Sequence, residues 1–171
     1  MCALYGPKRR PQEFGFGPPD THLVANDATE TIKGYAFGGQ LLFEIPALCK
    51  GTGGDDWRFN SADTPPGLYK LGAIYNDIVK VGMNPEFDRT LRSFGWISYD
   101  MIELESQEIK HGRAGIMLHG GGSGCGWPGA WQPRQRLYAT FGCVRCHNID
   151  LRDKILPRYK QGTVYLSVYQ D

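Results

Sequence analysis

The chain has no excess of charge of either sign and no long apolar run. Its 19 Lys and Arg residues stand against 18 Asp and Glu residues, which gives a formal net charge of +1. This balance gives no electrostatic reason to expect binding to nucleic acid or to an anionic membrane surface. No apolar stretch approaches the roughly 18 residues that cross a bilayer. Residues 1–20 contain basic residues with no apolar stretch behind them, which is unlike a secretory signal peptide.

The composition favours turns and strands. Histidine and methionine are scarce, with four residues each, whereas the chain contains 23 Gly, 11 Pro, 8 Phe, 9 Tyr and 4 Trp. Such a composition is typical of short strands joined by many turns rather than of a helical bundle. The length of 171 residues suits one ordinary domain. We therefore divide the chain into a Pro- and Gly-rich N-terminal arm, residues 1–20, and a single domain, residues 21–171.

Short runs of apolar, β-branched and aromatic residues predict seven strands. They cover residues 23–26, 33–37, 40–48, 68–71, 96–104, 115–118 and 163–168. Asn84-Pro85-Glu86 supplies the cap, the proline and the acid that begin a helix, which we expect to end near Ser93. A second short helix is predicted from near Asn148 to a residue before Pro157. The prediction is one mostly-β domain with two short helices.

Cys143 is the first candidate for a nucleophile. It follows Gly142, whose backbone freedom permits a tight turn with N–H groups aimed into a pocket, as an oxyanion hole requires. Only a few per cent of an ordinary thiol is ionised at neutral pH, so efficient attack needs a base or a cation nearby. His119, which ends an apolar run and precedes three glycines, and Arg145 could supply them. A capping His119 and a buried, inert Cys143 are the alternatives.

Residues 143–147 also permit other interpretations. Their sequence, C-V-R-C-H, matches the pattern that attaches c-type haem, although the β-rich composition is unlike a small helical cytochrome. The two cysteines could instead form a redox dithiol or half of a zinc site, but no second Cys/His pair of similar spacing accompanies them. His111 and Cys125 are too scattered to complete such a site. Cys125, six residues after His119, is a second candidate nucleophile.

Five short stretches form an ordered set of motifs. Residues 52–53 read T-G and residues 63–69 read D-T-P-P-G-L-Y. Residues 116–120 read I-M-L-H-G, residues 140–150 read T-F-G-C-V-R-C-H-N-I-D, and residues 162–166 read G-T-V-Y-L. The set resembles the L,D-transpeptidase catalytic domain family of the YkuD type, whose motifs are T-G, D-T-P-x-G-x-[FY], I-x-I-H-G, [ST]-x-G-C-[IV]-R-M-x-N-x-D and a closing G-T-x-V-x-I strand.

The resemblance implies a single β-sandwich-like domain and a Cys–His mechanism on the tetrapeptide stems of bacterial peptidoglycan. Cys143 would attack the carbonyl of the third stem residue at its bond to the terminal D-alanine, with His119 as base and then as acid. The Gly120 carbonyl would orient the histidine ring, and the N–H groups of Gly142 and Cys143 would hold the oxyanion. An amine would take the thioester in transpeptidation or D-amino-acid exchange, and water in carboxypeptidase action. The resemblance implies no cofactor and no metal.

Further residues are expected to contact the substrate. They are Arg145, Thr140, Phe141, Trp127 and Trp131. Arg145 would anchor the site or bind a substrate carboxylate, and the two tryptophans belong to a loop of residues 120–139 that is longer than usual in the family. Phe141 stands where many members have His. Cys146 stands where Met is common, and its proximity to Cys143 suggests a disulfide.

Such an enzyme would act in the periplasm or the cell wall. Because no signal peptide precedes the domain, we expect one of three origins. The protein would be delivered by a non-Sec route, would be encoded by a phage, or would be a chain whose leader has been removed. A delivered antibacterial effector would have a secretion machine or an immunity protein as partner. The alternative to an enzyme is an inactive module of the same fold that binds cell-wall peptide without turnover.

Overall fold

The computed structural model describes residues 5–82, 88–105 and 112–170. Strands form most of it, and they are β1 (Thr21–Asn26), β2 (Thr31–Ala36), β3 (Leu41–Leu48), β4 (Gly67–Asn76), β5 (Ile97–Glu103), β6 (Met117–His119), β7 (Val144–Cys146) and β8 (Val164–Tyr169). Each predicted strand overlaps one of these. Strand β7 was not predicted, because three residues are too few to show a periodic pattern.

The strands form one closed sheet in the order β1-β2-β3-β7-β6-β5-β4-β8. Strand β8 pairs in parallel with β1 and antiparallel with β4, and so completes the circuit. Strands β6 and β7 form the other parallel pair. The expectation of a mostly-β chain with two short helices is confirmed. In place of the expected sandwich-like arrangement the strands form this single closed sheet, because β8 bridges β1 and β4.

The core lies inside the closed sheet and takes buried side chains from all eight strands. Strand β1 alternates buried and half-buried residues, as a strand with one face toward a core does. Strand β8 is instead buried at consecutive residues 164–168, because the N-terminal arm covers its outer face. The Phe16 ring lies 5.8 Å from the Tyr165 ring, and the Tyr165 hydroxyl donates to the Phe14 carbonyl at 2.8 Å.

Two short helical segments flank the sheet. Helix α1 (Arg89–Phe94) begins at Asp88, whose carboxylate accepts two N–H groups of the first turn; the predicted start at residues 84–86 lies outside the described residues. The second segment joins α2 (Asn148–Asp150), a π-helical turn (Leu151–Ile155) and α3 (Leu156–Gln161). No helix in the described ranges is long and apolar enough to span a membrane.

The predicted end of the second helix before Pro157 is wrong. The helical segment passes through Pro157 and continues to Gln161. Pro157 lies in the first turn of α3, directly after the π-helical turn. In the preceding π-helical turn the Leu156 N–H donates to the Leu151 carbonyl five residues back, and this widened turn accommodates a proline that has no N–H to donate.

Asp63 links the loop before β4 to a segment that supports Thr140. Asp63 is only 2% exposed, and its carboxylate accepts the Gly51 N–H at 2.8 Å. Gly51 in turn forms a β-bridge with Thr140. The Lys50 ammonium lies 2.8 Å from Asp27 and 3.8 Å from Asp63. Burial raises the pKa of Asp63, with a further contribution from Asp27, while the Gly51 N–H acts in the opposite direction.

We expect Asp63→Asn to change the pH dependence of stability. A raised pKa means that the folded chain binds more protons than the unfolded chain, so wild-type stability falls as pH rises through that pKa. The amide keeps an acceptor for the Gly51 N–H but does not titrate. The free energy of unfolding of the variant, relative to wild type, should therefore increase from about pH 4 to about pH 7. Urea unfolding measures it, with the exposed Asp55→Asn as control; a pH-independent difference would contradict the assignment.

Candidate active site

The parallel pairing of β6 and β7 brings His119 and Cys143 to the same part of the sheet. His119, the last residue of β6, lies opposite Arg145 in β7, and Cys143 immediately precedes β7. Side chains alternate along a strand, so His119, Cys143 and Arg145 share the outer face. Leu118 and Val144 point to the core, where both are 0% exposed. This register makes Cys143 a diagonal neighbour of His119.

A cleft of about 660 Å³ opens on this outer face. It is lined by His119 and Cys143, by Thr140 and Phe141 beside the nucleophile, and by Phe94 and Tyr138 among others. None of its described lining residues is acidic, and Arg145 is the charged one. A second cavity, of about 460 Å³, lies beside Asp27, Lys50 and Asp63 and is lined by neither histidine nor cysteine.

Hydrogen bonds from two neighbouring segments hold the turn that carries Cys143. The Thr140 hydroxyl donates to the Cys143 carbonyl at 2.8 Å and accepts the Gly142 N–H at 3.0 Å. The Met117 N–H donates to Cys143 Sγ at 3.4 Å. Thr140 therefore positions Cys143 as well as lining the cleft. The Gly142 N–H is already bonded within the turn, so it could reach an oxyanion only by exchanging that bond.

Arg113 explains the glycine at position 142. Gly142 has φ of 114°, and a Cβ atom there would overlap the Arg113 guanidinium. Arg113 is 5% exposed and donates to the carbonyls of Trp57, Ala62 and Asp63. It ties the loop before β4 to the nucleophile turn. No sequence signal indicates Arg113, because its neighbours form no motif and its partners are backbone groups remote in the chain.

The surroundings of His119 determine which ring nitrogen carries the proton. His119 is 2% exposed, and its Nδ1 lies 2.7 Å from the Gly120 carbonyl oxygen. Its ring packs edge-on against Phe94, with 4.8 Å between centroids. Because a carbonyl can only accept, the contact assigns the proton to Nδ1 and leaves Nε2 as an acceptor. This is the tautomer that can receive a proton from a thiol.

Arg145 is buried, and its guanidinium bonds to the backbone. It is 4% exposed and donates to the carbonyls of Gly120 at 3.3 Å, Tyr138 at 2.7 Å and Ser93 at 3.1 Å. These carbonyls belong to three separate segments, which the guanidinium fastens to β7. Of the two roles predicted for Arg145, these contacts favour the anchor of the site over the partner of a substrate carboxylate.

Asn148 and Gln135 hold the loop that follows His119. Asn148 is 0% exposed; its side-chain oxygen accepts the Gly121 N–H at 3.0 Å, and its amide donates to Ala130 at 3.0 Å and Gln132 at 2.7 Å. Gln135 accepts the Asn148 N–H at 2.9 Å and donates to the Gly121 carbonyl at 3.0 Å. The residues 120–135 are thereby fixed around the start of α2. Asn148 belongs to the motif of residues 140–150, whereas no sequence signal indicates Gln135.

Cys143 and His119 are both uncharged at neutral pH. Burial, aided by the charge of Arg145, lowers the pKa of His119 to about 3, against the opposing effect of the Gly120 carbonyl. Burial also raises the pKa of Cys143, although the Met117 N–H and the charges of Arg145 and Arg113 act in the opposite direction. The cleft therefore holds a thiol beside a neutral imidazole rather than an ion pair.

Other predicted residues lie at different distances from the nucleophile. Phe141 is 76% exposed at the rim of the cleft. Trp127 and Trp131 do not line the cleft; their rings are 5.6 Å apart, and the Trp131 carbonyl accepts from the Trp96 indole at 2.8 Å. Their contact with a substrate stays a prediction. The rival nucleophile Cys125 is half-buried and is also not among the residues that line the cleft.

Cys146 lies on the opposite face of β7 from Cys143. It is 0% exposed in the core, and both residues are free thiols. The disulfide that the sequence left open is therefore absent, because side chains three positions apart in extended backbone point to opposite sides. For the same reason the pair cannot attach one haem or bind one zinc. Among the described residues, which exclude His111, no cluster of three His, Cys, Asp or Glu side chains could hold a metal.

Comparison with known proteins gives structural but not sequence matches. No protein-family model and no curated protein sequence matches the chain. Bd1075 of Bdellovibrio bacteriovorus matches with a TM-score of 0.59 and 18% identity, over 97% of this chain and 51% of that one. The helical cell shape determining protein Pgp2 of Campylobacter jejuni matches with a TM-score of 0.58 and 16% identity, over 88% of this chain and 48% of that one. L,D-transpeptidase 1 of Mycobacterium tuberculosis matches with a TM-score of 0.45 and 11% identity, over 87% of this chain and 61% of that one.

The first two of these structures define the fold class. The chain has the same fold as parts of Bd1075 and Pgp2, and it spans about half the length of each. At identities of 18% and 16% the likeness shows the fold alone. The TM-score of 0.45 for the transpeptidase is too low to support an inference.

The neutral pair predicts slow alkylation of Cys143 at neutral pH. Thiolate is the reactive form, so the rate with iodoacetamide should rise steeply only above about pH 8.5, where ordinary thiols ionise. An imidazolium–thiolate pair would already react at full rate near about pH 6. Mass spectrometry of the Cys143 peptide against pH distinguishes the two, with the Cys125 peptide of the same sample as a reference.

Replacing Asn148 should destabilise the fold strongly. In Asn148→Leu the Gly121 N–H and the carbonyls of Ala130 and Gln132 lose their partner, and each such loss at a buried group costs about 1–3 kcal/mol. We expect a decrease of at least about 3 kcal/mol in the free energy of unfolding, measured in urea. The exposed Asn60→Leu serves as the matched control and should change it by less than about 0.5 kcal/mol. Equal effects of the two changes would show that the Asn148 bonds do not hold the loop.

Proposed function

We propose that this chain is a cysteine acyltransferase that acts on the tetrapeptide stems of bacterial peptidoglycan. Cys143 would cleave the bond between the third stem residue and the terminal D-alanine through a thioester. The observation that carries the proposal is the presence of Cys143 and His119 in one cleft, with the histidine proton assigned to Nδ1 by the Gly120 carbonyl. The remaining ring nitrogen is then able to accept the thiol proton.

Sequence and fold support the same assignment. The motifs at residues 116–120 and 140–150, which resemble those of L,D-transpeptidases, contribute both reactive residues and the turn between Thr140 and Cys143. The chain shares its fold with Pgp2, a helical cell shape determining protein. A substrate in the cell wall is consistent with both.

In the first half-reaction, His119 Nε2 accepts the thiol proton while Cys143 Sγ attacks the carbonyl carbon of the third residue. The oxyanion needs nearby N–H donors; Cys143 can supply its own, and Gly142 can supply one after releasing the Thr140 hydroxyl. Collapse of this intermediate breaks the C–N bond. The departing amine of D-alanine takes the proton from His119. The same histidine thus acts first as base and then as acid.

The second half-reaction regenerates the thiol. Water or an amine attacks the thioester carbonyl, His119 removes its proton, and the thiolate of Cys143 leaves and is reprotonated by the same histidine. Water gives the tripeptide, as in an L,D-carboxypeptidase. An amine gives a cross-link or an exchanged D-amino acid. We assign these steps to residues 21–171, with residues 1–20 as an arm, and the site of action to the periplasm or the cell wall.

Incubation with purified disaccharide-tetrapeptide tests the proposal. Wild type should release D-alanine, and mass spectrometry of the remaining product identifies tripeptide, dimer or exchanged residue. Cys143→Ala should release none, because the thioester cannot form. His119→Ala should lower the rate about 10²- to 10⁴-fold, the usual contribution of a general base.

Cys125→Ala is the matched control, and it should retain wild-type activity, because Cys125 does not line the cleft. Loss of activity in Cys125→Ala with retention in Cys143→Ala would reverse the assignment of the nucleophile. Binding of the tetrapeptide without turnover by wild type would identify the chain as an inactive binding module.

A further inference from the structure

Two arginines of α1 line a cavity that adjoins the nucleophile cleft. Arg89 and Arg92 are three residues apart and therefore lie on the same side of the helix. Together with Ser93 and Ser123 they line a cavity of about 330 Å³. The same two serines line the cleft of Cys143, so the two cavities share a wall.

The backbone around Arg92 is tightly held. The Arg92 carbonyl accepts the Gly122 N–H at 2.8 Å, and the Phe94 carbonyl accepts the Gly120 N–H at 3.0 Å. Between them, the Ser93 carbonyl accepts from Arg145 at 3.1 Å. Two of these carbonyls thus join the last turn of α1 to the segment that follows His119, and the third joins it to β7. The arginine side chains therefore project from a fixed position relative to the reactive pair.

The Arg92 side chain has an unused buried donor. Its Nε atom is buried and has no hydrogen-bond partner within the described part of the chain. Among the described residues, neither Arg89 nor Arg92 forms an ion pair. A buried cationic donor without a partner is costly, and a planar guanidinium is best satisfied by a carboxylate that accepts two parallel hydrogen bonds.

No acidic side chain of the described lining competes for these donors. Both cavities lack Asp and Glu among the lining residues that the structure describes. Arg145, the charged residue of the larger cleft, already donates to three carbonyls. An anionic group that enters the cleft therefore finds its available cations at Arg89 and Arg92.

The cavity lies on the His119 side of the cleft. Phe94, which ends α1, packs against the His119 ring with 4.8 Å between centroids. In the proposed reaction His119 gives its proton to the departing amine, so the departing residue must lie next to His119. In an amino acid a single carbon separates the amine from the carboxylate. The carboxylate of the departing residue is therefore brought to within a few atoms of α1.

We propose that Arg92, assisted by Arg89, binds the terminal carboxylate of the departing amino acid. This inference rests on the proposed function and specifies how the site would select the peptide bond that it cleaves. A stem that ends in a free carboxylate would be bound at both its reactive carbonyl and its end. A stem whose last carboxylate is amidated or extended would lose the second contact.

Binding measurements on a protein that cannot turn over test this subsite directly. Calorimetry with Cys143→Ala compares disaccharide-tetrapeptide that ends in D-alanine with the same compound ending in D-alaninamide. The free acid should bind about 10- to 100-fold more tightly than the amide, the effect of hydrogen bonds to a charged group. Adding Arg92→Gln should remove most of this preference by weakening binding of the acid alone, and Arg92→Lys should retain part of it.

Two further variants control for indirect effects. Arg158→Gln, on α3 and outside both cavities, should keep the full preference. Arg89→Gln changes an exposed side chain and should reduce the preference without affecting folding, which circular dichroism checks. An acid-over-amide preference that is absent from Cys143→Ala, or that survives in folded Arg92→Gln and Arg89→Gln, would overturn the proposal.

Turnover by wild type separates this inference from the proposed function. Release of D-alanine with a preference that Arg92→Gln leaves intact would refute the carboxylate subsite while supporting the reaction. An Arg92-dependent preference without any release would support the subsite and refute the reaction.

Discussion

The outer face that carries Cys143 depends on the burial of one guanidinium. Arg145 donates to carbonyls of α1, of the segment after β6 and of the loop before the nucleophile turn, and so fastens three segments to β7. Backbone carbonyls in a buried position need donors, and a single arginine provides them here in a fixed planar arrangement. Asn148 and Gln135 likewise bond through their side chains to the backbone of the loop of residues 120–135 and its surroundings. The shape of the cleft is therefore set largely by side chains bonded to backbone.

The same guanidinium also determines the electrostatics of the cleft. Its charge lies beside His119, where it helps burial to lower the pKa of the imidazole, and beside Cys143, where it favours the thiolate. The resting pair is neutral because burial outweighs the attraction on the thiol. In the proposed reaction, negative charge would develop first on sulfur and then on the carbonyl oxygen, and a fixed cation would need no reorganisation to stabilise it. Under that proposal, Arg145 would serve both packing and chemistry.

The sequence was sufficient where the information is local. Apolar runs located the longer strands, and the segments around His119 and Cys143 each resembled a known motif because the residues of each motif are neighbours in the chain. Arg113, Gln135 and Arg92 could not be found in this way, since their partners are backbone groups or cavities formed by remote segments. The disulfide with Cys146 was suggested because β7 was not recognised; in a strand the alternation of faces would have excluded it. The helix end predicted before Pro157 was wrong for a similar reason, because the cost of a proline depends on the helical turn around it.

The position of β8 has a consequence for how the chain folds. Strand β1 pairs with residues that lie about 140 positions later, and β4 pairs with the same strand from its other side. Such distant pairings are slow to form, because the loop must close before any hydrogen bond repays the lost entropy. During synthesis, β1 and β4 would both present open edges until residue 169 has emerged, and exposed edges are the usual starting points of aggregation. Strand β8 is therefore also the strand whose arrival protects the chain from pairing with other chains.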